Sequence, residues 1–241
     1  PFLWLDTVKL RFWEEYTWKH ATRIVAVSDQ DRDVIARSAP GVPVSVIPNG
    51  VDLLSFPFRP RQIDGIRPTF LFVGNFSWVQ NRDAVTHLLR AIWPKLLEQY
   101  PGAKLNIVGR NAPRELARLI SEKGAHLLDR VTRIRDEFEA SDILIAPIRV
   151  GGGTKFKILE AMASGLPVVT THIGGSGLDL IAGQEIIEAD STEEIIVAVS
   201  RLIGDPKGTK GLVTAARKKI ETTYAWTNIA KSLDAVWKGA V

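Results

Sequence analysis

Apolar positions along most of the chain fall into two alternating kinds of run. Short, nearly unbroken runs read as buried strands: Thr69 to Val73, Lys104 to Val108, Asp142 to Pro147, Leu166 to Thr171 and Glu185 to Glu188. Val131 to Ile134 reads as a weaker strand of the same kind. Longer stretches with spaced apolar positions lie between them and read as helices: Arg82 to Gln99, Pro113 to Lys123, a short one near Asp136 to Ala140, and Thr154 to Ser164. Pro94 is expected to interrupt or kink the first of these, because it lacks an N–H and its ring crowds the preceding turn. Three helical stretches close the chain: Thr192 to Ile203, Thr209 to Thr222 and Thr227 to Lys238. Strands that alternate with helices predict an α/β fold, a parallel sheet with helices on both faces.

The first 67 residues are patterned differently. Asp6 to His20 reads as a helix carrying Phe12, Trp13, Tyr16 and Trp18, with Trp4 just before it. Aromatics of this size need a surface to bury them, and a core-facing helix is expected. Arg23 to Val27 reads as a short strand, Ser28 as the N-cap of a helix Asp29 to Ser38, and Val44 to Ile47 as a second strand stopped by Pro48-Asn49-Gly50. Residues 51 to 67 carry Pro57, Pro60 and Gly65 with little periodicity and read as a linker.

Composition narrows the function classes. With 241 residues the chain is long enough for one large domain or two small ones. It has no cysteine, which excludes disulfides and thiolate chemistry. The 31 basic residues barely exceed the 27 acidic ones and are spread out, apart from Arg217-Lys218-Lys219, so nucleic-acid binding is not expected. The mild excess suits an anionic small ligand or loose peripheral contact with an acidic membrane surface. No apolar run approaches the length of a membrane span. The chain opens at Pro1-Phe2-Leu3-Trp4 without an initiator Met and reads as a fragment or processed product.

The densest candidate chemistry lies between Gly151 and Val169. Gly151, Gly152 and Gly153 leave backbone N–H groups bare just ahead of a helix N-terminus, and Lys155 and Lys157 add full positive charge. Glu160 follows on the same helix with a carboxylate suited to accept from sugar hydroxyls. A phosphate-plus-ribose ligand fits this set. The order Thr154-Lys155 does not make a Walker loop, and Val73-Gly74-Asn75-Phe76-Ser77-Trp78 lacks the second glycine of a dinucleotide fingerprint. The Gly74 loop, the Gly109-Arg110 turn and the 151–153 turn all follow predicted strands, and are expected to converge on one crevice. His20, His87, His126 and His172 are scattered, and no acidic cluster has metal-loop spacing. No acid–base constellation stands out, so catalytic residues stay unassigned.

Several landmarks in order resemble one family. They are Val46-Ile47-Pro48-Asn49-Gly50-Val51-Asp52, Leu71-Phe72-Val73-Gly74-Asn75, Asn106-Ile107-Val108-Gly109, Asp142 to Pro147, and the Gly151 to Val169 block. From about Ala21 to its end the chain looks like the C-terminal half of the GT-B-fold retaining glycosyltransferases, the group-1 family. The Gly-Gly-Gly-Thr-Lys-x-Lys-Ile-Leu-Glu-Ala version is similar to a branch associated with bacterial surface polysaccharides. The resemblance implies a Rossmann-like donor-binding domain over residues 68–224, a remnant of the acceptor-side domain over 1–48, a linker over 49–67, and a closing helix over 225–241 that returns toward the N-terminal domain. It implies transfer of a sugar, with retention, from a nucleoside-diphosphate sugar to a glycan or lipid-linked acceptor. No metal or cofactor is implied, and the location would be the cytoplasm or the inner face of the membrane. Glu160 matches the second glutamate of the family's Glu-x7-Glu motif, which holds the donor ribose, whereas the first falls at Gly152. Where the family often places an arginine and then a lysine at the diphosphate, this chain has Asn75 and, roughly, Asn81. Arg82 is the nearest cation there, with Lys155 or Lys157 as compensation. The implied donor-binding set is Gly74, Asn75, Arg82, Gly109, Arg110, Gly152, Gly153, Thr154, Lys155, Lys157 and Glu160. A non-catalytic nucleotide-sugar-binding module and an epimerase on the same plan are the alternatives. With most of the opposing domain absent, the chain alone is expected to be inactive and to self-associate through its N-terminal aromatics.

Overall fold

The chain builds two parallel sheets in succession, a small one and a large one. A computed structural model describes residues 2–60, 62–151 and 155–239. The small sheet comes first. Helix α1 (Phe2–Lys19) leads into β1 (Ile24–Ala26), α2 (Asp29–Ser38) and β2 (Val44–Val46), and the two strands pair in parallel from Ile24↔Val44 to Ala26↔Val46. Ser28 caps α2 as the sequence predicts, its hydroxyl accepting from Asp31 N–H at 3.1 Å.

The large sheet is made by β3 (Thr69–Val73), β4 (Lys104–Val108), β5 (His126–Leu128), β6 (Ile143–Ala146), β7 (Val168–Thr170) and β8 (Ile187–Glu188). All neighbours are parallel, in the order β5-β4-β3-β6-β7-β8. That is the doubly wound α/β order, in which the chain starts in the middle and reverses direction once, between β3 and β6. The central strands are apolar at successive positions because helices cover both faces: Phe70, Leu71 and Phe72 of β3 and Ile143 to Ala146 of β6 are fully buried.

The helices follow as α3 (Val79–His87), α4 (Trp93–Gln99), α5 (Arg114–Glu122), α6 (Ile134–Ala140), α7 (Phe156–Ser164), α8 (His172–Gly175), α9 (Thr192–Gly204), α10 (Pro206–Lys219) and α11 (Trp226–Lys238). The stretch predicted over Arg82 to Gln99 is interrupted just ahead of Pro94. A π-helical turn over Leu88–Ile92 joins α3 to α4 at the place where Pro94 has no N–H to donate to the preceding turn. A second π turn, Ile220–Tyr224, follows α10. Helix α9 opens on a reciprocal capping box between Ser191 and Glu194. The short α8 follows β7 directly and has no counterpart in the sequence expectations. Among the described residues no helix is long and apolar enough to cross a membrane.

Two expectations are corrected. The weaker strand is not Val131 to Ile134. The third strand of the sheet lies earlier, at His126–Leu128, in register with Asn106–Val108. Its polar first residue hid it, whereas Val131 packs against the core from an irregular connection and Ile134 from the first turn of α6. Helix α1 is not core-facing either. Trp4, Phe12 and Trp13 are 70%, 62% and 61% exposed, and α1 packs mainly against α2 among the described residues. Its rings stack on one another, with Phe12 and Tyr16 6.4 Å apart and Tyr16 and His20 4.2 Å apart.

Residues 51 to 60 hold no helix or strand, yet they are firmly attached. Val51 N–H donates to Tyr224 O at 2.7 Å, and Phe56 is buried edge-on to Phe138. Arg217, within the basic triplet, spends its guanidinium here. It donates to Phe56 O at 3.0 Å and Ala163 O at 2.7 Å, and pairs with Glu221. Lys219 is likewise committed, to Asp179 at 2.8 Å. Helix α11 ends where Arg23 donates to Gly239 O at 3.2 Å.

Replacing Arg217 with alanine strips two backbone carbonyls of a charged donor and is expected to cost about 2 kcal/mol of stability. Denaturant titration checks this, and a change within error of zero counts against the clamp. The bare aromatic surface of α1 predicts self-association of the chain. Sedimentation velocity over a wide concentration range tests it; a monomer throughout would overturn it.

Candidate functional site

The reversal of strand order opens a crevice at the carboxyl ends of β3 and β6, the place where doubly wound sheets bind ligands. The chain leaves β3 through Gly74 and the neighbouring β4 through Gly109. Gly74 N–H donates to Val108 O at 2.9 Å, and Gly109 N–H to Leu128 O at 3.1 Å. The two exits nearly touch: a Cβ on Gly109 would lie 1.8 Å from Gly74 O, and one on Gly74 would lie 2.8 Å from Asn81 Cγ. Only glycine fits at Gly109, since the atom in the way is backbone. Phe76 N–H donates to Arg110 O at 2.9 Å and ties the two loops together.

Side chains then stiffen the loop after β3. Asn75 Oδ1 accepts from Ser77 N–H and from Asn111 Nδ2, each at 3.0 Å. Asn111 has φ 63°, a left-handed conformation that asparagine tolerates. Arg82 donates to Phe76 O at 2.8 Å and Ser77 O at 3.2 Å. Its guanidinium therefore braces the loop from beneath. Arg110 is exposed, and with Gly74, Asn75, Gly109, Asp129 and Thr132 it borders a cavity of about 370 Å³ beyond β3, β4 and β5.

From the other side comes α7. Lys155 stands at its N-cap position and is buried, which lowers the pKa of its amine. Lys157, in the first turn, donates to Asn81 Oδ1 at 2.7 Å and sits 4.6 Å from the centre of the Phe72 ring. Asn81 is itself buried and passes the contact on, its Nδ2 donating to Asn75 O at 2.9 Å. One asparagine thus joins the loop after β3 to the lysine of α7. Burial, aided by the neighbouring charge of Lys155, lowers the pKa of Lys157 to about 7, and Glu160 acts against that shift. Glu160 lies one turn further along α7 and is half-buried. Burial raises its pKa, while Lys157 pulls it down. Gly151, before the helix, has φ 99°, and a Cβ there would lie 3.3 Å from Gln80 Cβ. The start of α7 and the start of α3 are therefore neighbours across the crevice.

Gly74, Asn75 and Gly109 border the cavity beyond β3, β4 and β5, and Lys157 is joined to the loop after β3 through Asn81, with Glu160 one turn further along α7. The structure places Lys155 at the edge of α7 and Arg110 on the same cavity, and turns Arg82 to a bracing role. Gly152, Gly153 and Thr154 lie outside the described residues. Asn81 reaches Lys157 across 76 positions of sequence, so no local pattern announces the contact. Its one sequence signal is a polar residue on the buried face of an amphipathic helix. Arg149 is a cation at the same rim, but its guanidinium is bound to Asp83 at 3.0 and 2.6 Å. No group of His, Asp and Glu able to hold a metal occurs among the described residues. A desolvated amine thus lies beside close-set backbone, with a carboxylate one turn away on the same helix.

Among families of known proteins, the model described as "Glycosyl transferases group 1" matches residues 67–205. A glycogen synthase of Mycobacterium tuberculosis is 26% identical over 208 residues, covering 82% of this chain and 49% of its own length. A phosphatidyl-myo-inositol mannosyltransferase of Mycolicibacterium smegmatis is 28% identical over 224 residues, covering 89% of this chain and 56% of its own. The chain thus spans about half the length of these relatives. Among solved structures, Anabaena Alr3699/HepE in complex with UDP and glucose superposes with a TM-score of 0.77 at 18% identity, over 96% of this chain and 67% of that one.

The buried amine makes a pH prediction. Below pH 7, Lys157 is charged in both folded and unfolded chains, and its desolvation cost is fully present. Between about 7 and its ordinary value of 10.5 the folded chain holds fewer protons, so this group makes stability rise with pH. Lys157→Met should remove that rise. Denaturant midpoints of both proteins from pH 6 to 10 test it; parallel curves would place the amine in water.

Proposed function

The chain belongs to the group 1 glycosyltransferases, and from that premise we propose that it is the donor-binding part of a retaining enzyme that moves a sugar from a nucleoside-diphosphate sugar to a glycan or lipid-linked acceptor. The observation that carries the reading is the placement of Lys157 and Glu160 one turn apart on α7, with Lys157 held by Asn81 against the loop after β3. Lys157 Nζ rests on Asn81 Oδ1, where the family resemblance puts a lysine of α3 at the diphosphate. The positive group is here supplied from the opposite helix to the same place. A cation held in a partly dry crevice is worth more to a departing diphosphate than one in water, because it needs no reorganisation as charge develops. Glu160 takes the ribose, accepting from its hydroxyls.

Several further parts of the reading rest on the resemblance. These are retention of anomeric configuration, a role in bacterial surface polysaccharide synthesis, and work on the cytoplasmic side of a membrane to which the protein attaches peripherally. The proposed domains are 68–224 for the donor, 1–48 for the acceptor side, 49–67 between them, and 225–241 as the returning helix. Transfer requires donor and acceptor to be oriented together, an effect that reaches about 7–11 kcal/mol in well-aligned systems. Residues 1–241 alone are therefore expected to bind donor and to transfer negligibly.

Calorimetric titration of this chain with UDP-, GDP- and ADP-sugars tests the proposal. One of them should bind. Glu160→Ala should weaken it by roughly ten- to a hundredfold, the loss of hydrogen bonds to a charged acceptor. Binding should also fall as pH rises above 7, because the amine of Lys157 must be protonated to pair with phosphate. Unchanged affinity in a folded Glu160→Ala variant removes the ribose contact from the reading.

A further inference from the structure

The carboxyl edge of the large sheet carries an apolar rim that the crevice does not use. Within residues 68–224 the exposed large apolar side chains are Trp78, Val79, Val150, Phe156, Ile173, Ile181 and Val197. The first five follow the ends of β3, β6 and β7, where the crevice lies. Trp78 is the largest and is 60% exposed. It stands at the N-cap of α3, and its N–H donates to Asn75 O at 3.3 Å. The loop that carries it is rigid, since Arg82 holds the carbonyls of Phe76 and Ser77 just before it. Gln80, two residues on, touches the Gly151 turn, and Asn81, three residues on, receives Lys157. The backbone that carries the indole is thus held in place, three residues before the asparagine that receives the buried amine.

A solvent-facing indole on an anchored backbone, beside the proposed anion site, suits a ligand with a flat apolar face attached to the anion. A hexose has such a face in its axial C–H bonds, and its hydroxyls keep the other side wet. Tryptophan combines a large apolar surface with few rotatable bonds, so little freedom is lost when it stacks. We infer that Trp78 is the platform for the sugar of the bound donor and a determinant of which sugar is accepted. The inference rests on the donor-site reading above. It assigns the rim to the far end of the diphosphate, opposite the ribose held by Glu160.

The test compares each nucleoside diphosphate with its sugar conjugate: UDP with UDP-glucose, GDP with GDP-mannose, and ADP with ADP-glucose. Calorimetry on the unmodified chain selects the pair that binds. In Trp78→Ala, affinity for the bare diphosphate should stay within about twofold, and affinity for the conjugate should fall roughly three- to tenfold. Trp78→Phe should recover most of the loss, and circular dichroism should show all three proteins equally folded. Equal loss for both ligands, or loss for neither, overturns the inference while leaving the donor site standing. If no pair binds the unmodified chain, the donor-site reading fails first and takes this inference with it. Co-sedimentation with phosphatidylglycerol vesicles is the remaining arm. Loss of vesicle binding in Trp78→Ala with unchanged sugar affinity assigns the rim to a membrane and overturns the inference.

Discussion

Everything at the candidate site depends on two strand exits that approach to backbone contact. Gly109 packs on the carbonyl of Gly74 with no room for a methyl group, and Asn81 fills the space above Gly74. That approach brings the β3 and β4 loops into one surface, and Phe76 N–H closes it on Arg110 O. The asparagine that fits over Gly74 is the same residue that receives Lys157. Tight backbone packing and the placement of charge are therefore one arrangement. A larger residue at Gly74 would push out the acceptor that holds the lysine, and one at Gly109 would collide with the Gly74 carbonyl and the Phe76 ring.

The lysine in turn is held by weak partners. An amide oxygen and a phenyl face are poor substitutes for water around an ammonium group, and desolvation is the largest influence on its proton affinity. Glu160 opposes that shift from one turn away without cancelling it. Lys157 differs in this from Arg149, whose guanidinium holds a carboxylate, and from Arg82, which donates to backbone carbonyls.

Much of the fold was legible because the sheet is covered on both faces. A strand covered on both faces reads as a near-continuous apolar run, and β3, β6 and the Val168-Val169 pair of β7 announce themselves in this way, as do Leu105, Ile107 and Val108 of β4. The sequence signal failed where burial is partial. His126–Leu128 is an edge strand with a polar start, so its neighbour Val131 to Ile134 drew the assignment. The four-residue α8 is set by Thr171, whose hydroxyl accepts from Gly174 N–H at 3.0 Å, a cap too short to show periodicity. Helix α1 misled for the opposite reason: its aromatics promise a core that the described residues do not supply. At the site, the glycines, Lys157 and Glu160 were visible as residue types. Asn81's contact and the bracing posture of Arg82 were not, since both are products of tertiary approach.

The irregular segment before the large sheet has a mechanical consequence. Arg59 N–H donates to Ser164 O at 2.9 Å, Arg217 reaches Ala163 O, and the ring of Phe58 sits where a Cβ on Gly165 would be. All three grip the last turn of α7, while Lys157 and Glu160 occupy its first half. A nine-residue helix is too short to bend, so it behaves as a strut anchored at the far end. The far end of the helix that carries Lys157 is therefore held by the irregular segment and by α10 together, in addition to its own fully buried face of Ile158, Leu159, Ala161, Met162 and Ala163.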